Sequence, residues 1–342
     1  MRVGVILGDV STSVSPKDHL DSMLRQIESA QRNGVTMFVM GHHYLYGNLR
    51  WLQPIPTLAR LSVEMEPHVR MATMTVQAPL QHPVVLAEDL ATLDIVTGGR
   101  LTIGLGAGYR ETEFTALGIP FSERFRRLEE SVEVMRHLWT EERVTFDGSF
   151  FHLDAVEPHL QPIQQPHPPI WLGAMGEAGI RRSARLADAW PITPEARVHD
   201  IKRKLAIYED EREKAGLPHV KHPLRRELVP ARNKDLALTR FEGMAKKRLI
   251  EYARRSLTVR DEHDLDEGFR EIAEQEAFLG SPEEIVAQVA SIAAVAPIDQ
   301  IIVRAHWPGM DTEAVTRYLD DLGEAVIPAV RSIESVDRVD RS

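Results

Sequence analysis

The chain has 342 residues, 43% hydrophobic and 27% charged, enough for one large core or two ordinary domains. With 51 acidic against 41 basic side chains the formal net charge is −10, which argues against non-specific nucleic-acid binding but leaves room for a local basic pocket for one phosphate. There are no cysteines, so disulfides, thiolate metal sites and cysteine nucleophiles are excluded. The opening MRVGVILGDV is too short an apolar run for a signal peptide, and no run reaches membrane-spanning length. The expectation is a cytoplasmic protein with neither membrane nor nucleic acid as partner.

In chain order, strands are expected at Val3–Leu7, Val35–Met40, Val69–Val76, Leu101–Leu105, Ile170–Gly173, Asp188–Ile192, Leu224–Ala231 and Gln300–Ala305. Helical rhythm separates most of them: Leu20–Arg32, Val84–Val96, Arg124–Trp139, Glu177–Leu186, Pro282–Ala294 and Thr312–Ile327. Pro83 and the run Ser281-Pro282-Glu283-Glu284 are helix-start signals. Strands alternating with helices imply a parallel sheet, and eight such units suggest an α/β fold closed as a (β/α)8 TIM barrel. Surplus length goes to a hairpin turning at Asp147-Gly148, a proline-rich connector (the two together spanning 143–168), and a helical insertion at 232–280 between the seventh and eighth strands. That insertion reads equally as a lid or a solvated excursion. Residues 1–330 thus form one domain, and 331–342 a polar tail expected to fray.

A barrel carries its site at the carboxyl ends of its strands. The second strand is followed by Gly41-His42-His43-Tyr44, and the third carries Thr73, Met74, Thr75 and Gln77. The fourth leads into Gly106, Ala107, Gly108 and Tyr109; the fifth into Gly173, Ala174, Met175, Gly176 and Glu177 at a helix start. The eighth ends near His306 and Trp307, and Trp307 is a candidate pocket-lining residue. The turn at 173–177 is the best phosphate candidate, because a helix N-terminus offers unpaired N–H groups and a positive dipole end. A turn made only for its own sake is the alternative. Neither GxGxxG nor GxxxxGK[ST] is present. Histidine titrates near ~6.5, which makes the His42-His43 pair the acid/base candidate; adjacent side chains on a strand point to opposite faces, so at most one faces the barrel mouth, and a strand-end histidine is more often structural. His43 and Tyr44 are candidates for the substrate pocket. Arg110, Arg124, Arg126 and Arg127 could supply charge to a phosphate, or simply be solvated or pair with nearby acids. No metal site is expected, since no HxH or HExxH spacing occurs.

The block LAEDLATLDIVTGGRLTIGLGAGYRETEFTALGIPFSERFRRLEESVEVMRHLW resembles the central region of the bacterial-luciferase-like flavin monooxygenases. PPIWLGAMGEAGIRRSARLADAW, GHHYL, GSPEEIVAQV and HWPGM resemble further signatures of that family, in the same order. The resemblance implies a TIM barrel binding reduced FMN or, in one branch, the deazaflavin coenzyme F-420, often as a homodimer. It implies oxygenation of a small organic substrate with O2 activated at the flavin C4a position. The reduced flavin would come from a separate NAD(P)H-dependent flavin reductase. The alternatives are F-420-dependent hydride transfer and a non-catalytic flavin-binding protein. His42 falls on the family's proposed catalytic histidine, with Gly41 where an EHH motif has glutamate. Thr73, Met74 and Thr75 fall beneath the isoalloxazine ring, where relatives carry a non-proline cis peptide. Ala107 stands where luciferase has an arginine near the flavin phosphate. Phosphate capture would then pass to the backbone at Met175–Glu177, helped by Arg124 or Arg127.

Overall fold

The computed structural model describes residues 1–8, 10–47, 49–254, 262–307 and 310–339. Seven parallel strands form the continuous path of its eight-stranded main sheet, off which the short Val76–Gln77 pairs, and are numbered here in chain order. They are β1 (Arg2–Leu7), β2 (Met37–Met40), β3 (Arg70–Thr73), β4 (Leu101–Gly106), β5 (Ile170–Leu172), β6 (His222–Arg225) and β7 (Ile298–Arg304). Side by side their order is β5-β4-β3-β2-β1-β7-β6. The sheet curls, so both edge strands reach the segment 188–192. Trp171 bridges to Ala189 and Ile192 to Leu224. Leu172 N–H donates to the Ala189 carbonyl at 3.1 Å, and Arg225 N–H to that of Ile192 at 2.9 Å.

The strands read as unbroken apolar runs because both of their faces are buried. Successive side chains alternate in direction. Val5 and Leu7 of β1 join the large outer core, while Ile6 joins Met37, Val39, Ala72, Trp171, Ala189 and Ile302 in a smaller inner cluster. Helices surround the sheet, most of them covering the outer core. They are α1 (Pro16–Arg32), α2 (Pro54–Leu61), α3 (Pro83–Val96), α4 (Glu111–Ala116), α5 (Arg124–Thr140), α6 (Glu177–Leu186) and α7 (Val198–Lys214), followed by α8 (Lys234–Arg254), α9 (Glu262–Glu267), α10 (Phe269–Glu276), α11 (Pro282–Ala293), α12 (Thr312–Asp321) and α13 (Ile327–Arg331). The Ser281 signal forms a full capping box with Glu284 at the start of α11. The hairpin pairs Val144–Asp147 with His152–Val156. Its connector is tied down by Gln164, whose N–H and amide donate to the buried Asp94 carboxylate at 3.0 and 2.7 Å.

Several boundaries differ from expectation. The strand expected at Leu224–Ala231 divides at Arg226: β6 stays in the main sheet, while Glu227–Pro230 pairs with Ala277–Gly280 in a second parallel sheet. Arg226 is buried, and its guanidinium reaches the Thr193 and Ala196 carbonyls, which turns the chain out of line. The strand expected at Val69–Val76 is interrupted by a cis Met74–Thr75 bond, after which Val76–Gln77 pairs with Leu105–Gly106. Asp188–Ile192 makes single bridges rather than a ladder. The helix expected over Thr312–Ile327 is not uniform: α12 gives way to a wider π-type turn at Leu322–Val326 before α13 begins.

The tail does not fray where it is described. Val336 N–H donates to the Ala293 carbonyl at 3.0 Å and Val339 N–H to Glu209 at 3.1 Å, with Val339 itself buried. Residues 340–342 lie outside the described residues. Within the 232–280 stretch, α8 and α10 build a separate apolar cluster that includes Phe241, Phe269 and Leu279. No helix among the described residues is long and apolar enough to cross a membrane.

Candidate active site

Both histidines lie just past β2 and both are buried, but they face different neighbours. His42 Nδ1 accepts the Gln77 N–H at 3.2 Å, and the Gln77 amide returns to the His42 carbonyl at 3.0 Å. Burial, and secondarily the charge of His43, push the His42 imidazole down to about 4, against an opposing hydrogen bond from the Gln53 side chain. His42 is therefore neutral at pH 7. Behind it a cavity of about 420 Å3 runs between α2 and α3, lined by His42, Tyr44, Gln53, Ile55, Val76 and Leu93 among others.

His43 points toward the rim of β4. Its Nδ1 meets Glu113 Oε1 at 3.1 Å and its Nε2 meets the Tyr109 hydroxyl at 3.0 Å. The ring sits edge-on to Trp51 at 4.7 Å and tilted to Tyr46 at 4.8 Å. Glu113 is fully buried; besides His43, its Oε1 accepts Tyr44 N–H at 2.8 Å and the Arg110 guanidinium at 3.0 Å. Burial works to raise the Glu113 carboxyl, but those donors outweigh it and hold it below its usual range. Burial, reinforced by Glu113, raises the Tyr44 phenol.

The glycine rim is close-packed. A Cβ on Gly104 would lie 2.0 Å from the Thr73 carbonyl oxygen, and one on Gly106 2.4 Å from Thr75 Oγ1. Gly108 has φ +74°, a conformation that glycine enters cheaply. Thr75 also faces Gly173, whose added Cβ would be 3.5 Å from Thr75 Cγ2. Thr75 is thus flanked by Gly106 and Gly173, with Met74 before it and Ala107 beyond. Thr73 is fully buried, and its hydroxyl is committed to the Gly104 backbone at 2.8 and 2.9 Å. Trp190 Nε1 donates to the Ala174 carbonyl at 2.9 Å and steadies the 173–177 turn. Gly176 caps α6 without a side-chain hydrogen bond and has open space around it. Met175 is exposed, and Glu177 pairs with Arg181 at 2.8 Å.

The arginines are otherwise engaged. Arg124 donates to the Phe121 carbonyl at 3.0 Å and lies over that ring, while Arg127 pairs with Glu123 at 2.8 Å and lies over Phe150. Trp307 is buried in the second apolar cluster against Phe241 at 5.7 Å. No group of three or more possible metal ligands occurs among the described residues. Glu113 and Gln53 are the site residues that sequence reasoning missed. The signal for Glu113 was an acid three residues after Arg110 and next to the buried Phe114 in a short helix.

The parallel α/β sheet curls and carries a glycine-lined rim at its carboxyl edge. The model of the luciferase-like monooxygenase family matches residues 1–300, and the chain belongs to that family. The oxygenase component of flavin-dependent trigonelline monooxygenase from Acinetobacter baylyi is 32% identical over 167 residues, 48% of this chain and 46% of that protein. The F420-dependent glucose-6-phosphate dehydrogenase of Amycolatopsis mediterranei is 26% identical over 93% of this chain and 96% of that one. The chain spans about half the length of the first curated relatives it matches, 56% for a mycobacterial protein of uncharacterised function. Among solved structures, the monooxygenase RslO1 of Streptomyces bottropensis superposes with a TM-score of 0.81 at 26% identity, covering 96% of this chain and 99% of that one.

Proposed function

We propose that this chain is the oxygenase of a two-component system, taking reduced FMN from a separate NAD(P)H-dependent flavin reductase and oxygenating a small organic substrate with O2. The observation that carries this reading is the rim of small residues around Thr75. Gly106, Ala107, Gly173 and Ala174 leave a shallow wall of small residues, which suits a flat tricyclic ring. The uncapped start of α6 lies at the end of the same turn, with room at Gly176 for a phosphate. These residues fit a flavin mononucleotide: Met74, Thr75, Gly106 and Ala107 against the ring, and Met175, Gly176 and Glu177 N–H groups at the phosphate. Thr73 supports Gly104 from behind. Bound reduced flavin supplies the electrons that activate oxygen. The chain's own contribution is to hold the ring, exclude water and move protons at the His42–His43 corner.

The eight-strand closure through 188–192 and the placement of 232–280 as an insertion before β7 belong to the same reading. So does a cytoplasmic homodimer. Val85 and Val96 lie on one stripe of α3, 56% and 54% exposed, and Val63 beyond α2 is 74% exposed, a face that suits a second copy.

F420-dependent hydride transfer is the second reading, favoured by the Amycolatopsis relative that aligns along nearly the whole chain. Anaerobic titration with reduced FMN and with reduced F-420, followed by oxygen-uptake measurement, separates them. Tighter FMN binding with oxygen consumption is expected. Tighter F-420 binding without oxygen uptake would overturn the proposal.

A further inference from the structure

We infer that Glu113, His43 and Tyr109 form a proton relay, with Tyr109 as its terminal group at the rim and Glu113 as the positioning residue. The inference rests on the oxidoreductase reading above for its purpose, but its geometry stands without a cofactor.

The hydrogen-bond directions follow from chemistry. An ionised carboxylate can only accept, so the 3.1 Å contact requires His43 to carry its proton on Nδ1 and give it to Glu113. In the neutral ring Nε2 is then the acceptor, and the Tyr109 hydroxyl at 3.0 Å must donate to it. The chain Tyr109 O–H to His43 to Glu113 therefore has one polarity.

The carboxylate is held in place by more than the imidazole. Arg110 grips Oε1 while its other bond reaches the Tyr44 carbonyl at 2.9 Å, and its guanidinium lies over the Tyr46 ring at 4.5 Å. Glu113 Oε2 is buried without a hydrogen-bond partner, so the group retains acceptor capacity when the imidazole becomes charged. The groups facing His43 are Glu113 and Arg110 from the α4 side, Tyr109 from the rim, His42, Tyr44, Tyr46 and Trp51 from its own loop, and the Gln77 amide at 3.4 Å from its Nδ1. Tyr109 is 42% exposed, whereas His43 is buried.

The step balances without redox change. A substrate O–H or N–H gives its proton to the Tyr109 oxygen as the Tyr109 proton passes to His43 Nε2. The products are the substrate's conjugate base and an imidazolium paired with Glu113. Reversed, the relay returns a proton to an anion at the rim. His42 differs in its partners: its Nδ1 accepts the Gln77 backbone N–H and its ring hydrogen-bonds the Gln53 side chain rather than a carboxylate.

Nitrogen-15 NMR of the histidine rings in the flavin-free protein tests the wiring, and a pH profile tests its use. At pH 8 His43 is expected as the Nδ1–H tautomer, with its Nε2 resonance shifted in Tyr109→Phe and the tautomer preference lost in Glu113→Ala. In flavin-loaded protein, oxygen-dependent flavin reoxidation in Tyr109→Phe should slow ~10- to 100-fold and lose one ionisation limb. Glu113→Gln, which keeps the shape, should move that limb to lower pH and change kcat more than KM. An Nε2–H tautomer in the unmodified protein overturns the relay, as does a Tyr109→Phe profile that superposes on the original. Failure to bind flavin instead counts against the cofactor assignment and leaves the NMR result decisive for the relay.

Discussion

The Trp51 indole occupies the space that any side chain at position 41 would need: a Cβ on Gly41 would lie 2.6 Å from Trp51 Cζ3. Trp51 in turn backs His43, with ring centres 4.7 Å apart. The glycine is therefore not merely the loss of the glutamate found in luciferase's EHH motif. Its space has been given to an aromatic wall.

Gly41→Ala is expected to displace Trp51 and cost about 1–3 kcal/mol by overpacking. Urea denaturation followed by circular dichroism reads the loss. An unchanged midpoint would show that the indole moves aside freely.

Stability should fall in mild acid. Burial holds the His42 imidazole at about 4 and that of His222 at about 3, both below the ordinary 6.5. Below that ordinary value the unfolded chain binds protons that the folded chain refuses, so stability present at neutral pH is lost as pH falls from 6.5 toward 4 and 3. Each histidine adds a slope of up to about 1.4 kcal/mol per pH unit in its window. His222→Asn keeps an acceptor for the Trp190 N–H, now at 3.1 Å, and should flatten the slope by removing one titration. Denaturation at a series of pH values checks this; a slope unaltered by the substitution would contradict it.

Gly176→Asp should cap α6 and stabilise the flavin-free protein by about a few tenths of a kcal/mol. The same carboxylate competes with a phosphate for the helix N-terminus. FMN affinity should drop at least ~10-fold while riboflavin affinity barely changes. Equal weakening of both ligands would move the phosphate site elsewhere.

Val96→Asp places a charge on the exposed stripe of α3. Sedimentation should show a shift from dimer to monomer with the far-ultraviolet spectrum intact. A dimer that persists would place the interface on another face.

Much of the fold was legible because its signals are local. The buried strands, the Pro83 and Ser281 helix starts and the glycine rim each follow from a few adjacent residues. α2 was not expected from the sequence: two prolines two residues apart, Pro54 and Pro56, are breaker signals, although Pro54 occupies the first turn, where its missing N–H costs nothing. The division of β6 from Glu227–Pro230 was invisible because the carbonyls that hold Arg226 lie some thirty residues back along the chain, at Thr193 and Ala196. The site shows the same contrast. His42 and His43 were found as a pair, but their division of labour depends on Gln77, Glu113 and Tyr109, contacts across 35 to 70 positions. Residue type alone does not separate the two, and only the family resemblance points to His42; the partners distinguish a pinned neutral imidazole from one hydrogen-bonded to a carboxylate.

The turn at Arg226 also bears on how this chain can diverge. Among the described residues, Ala277–Gly280 pairs with Glu227–Pro230 and not with the main sheet, and the side chains above it pack in their own cluster. Mutations accumulating in α8 and α10 are thus absorbed by that cluster before they reach the strands that carry the rim. The glycine-lined rim can stay constant while α8 and α10 drift.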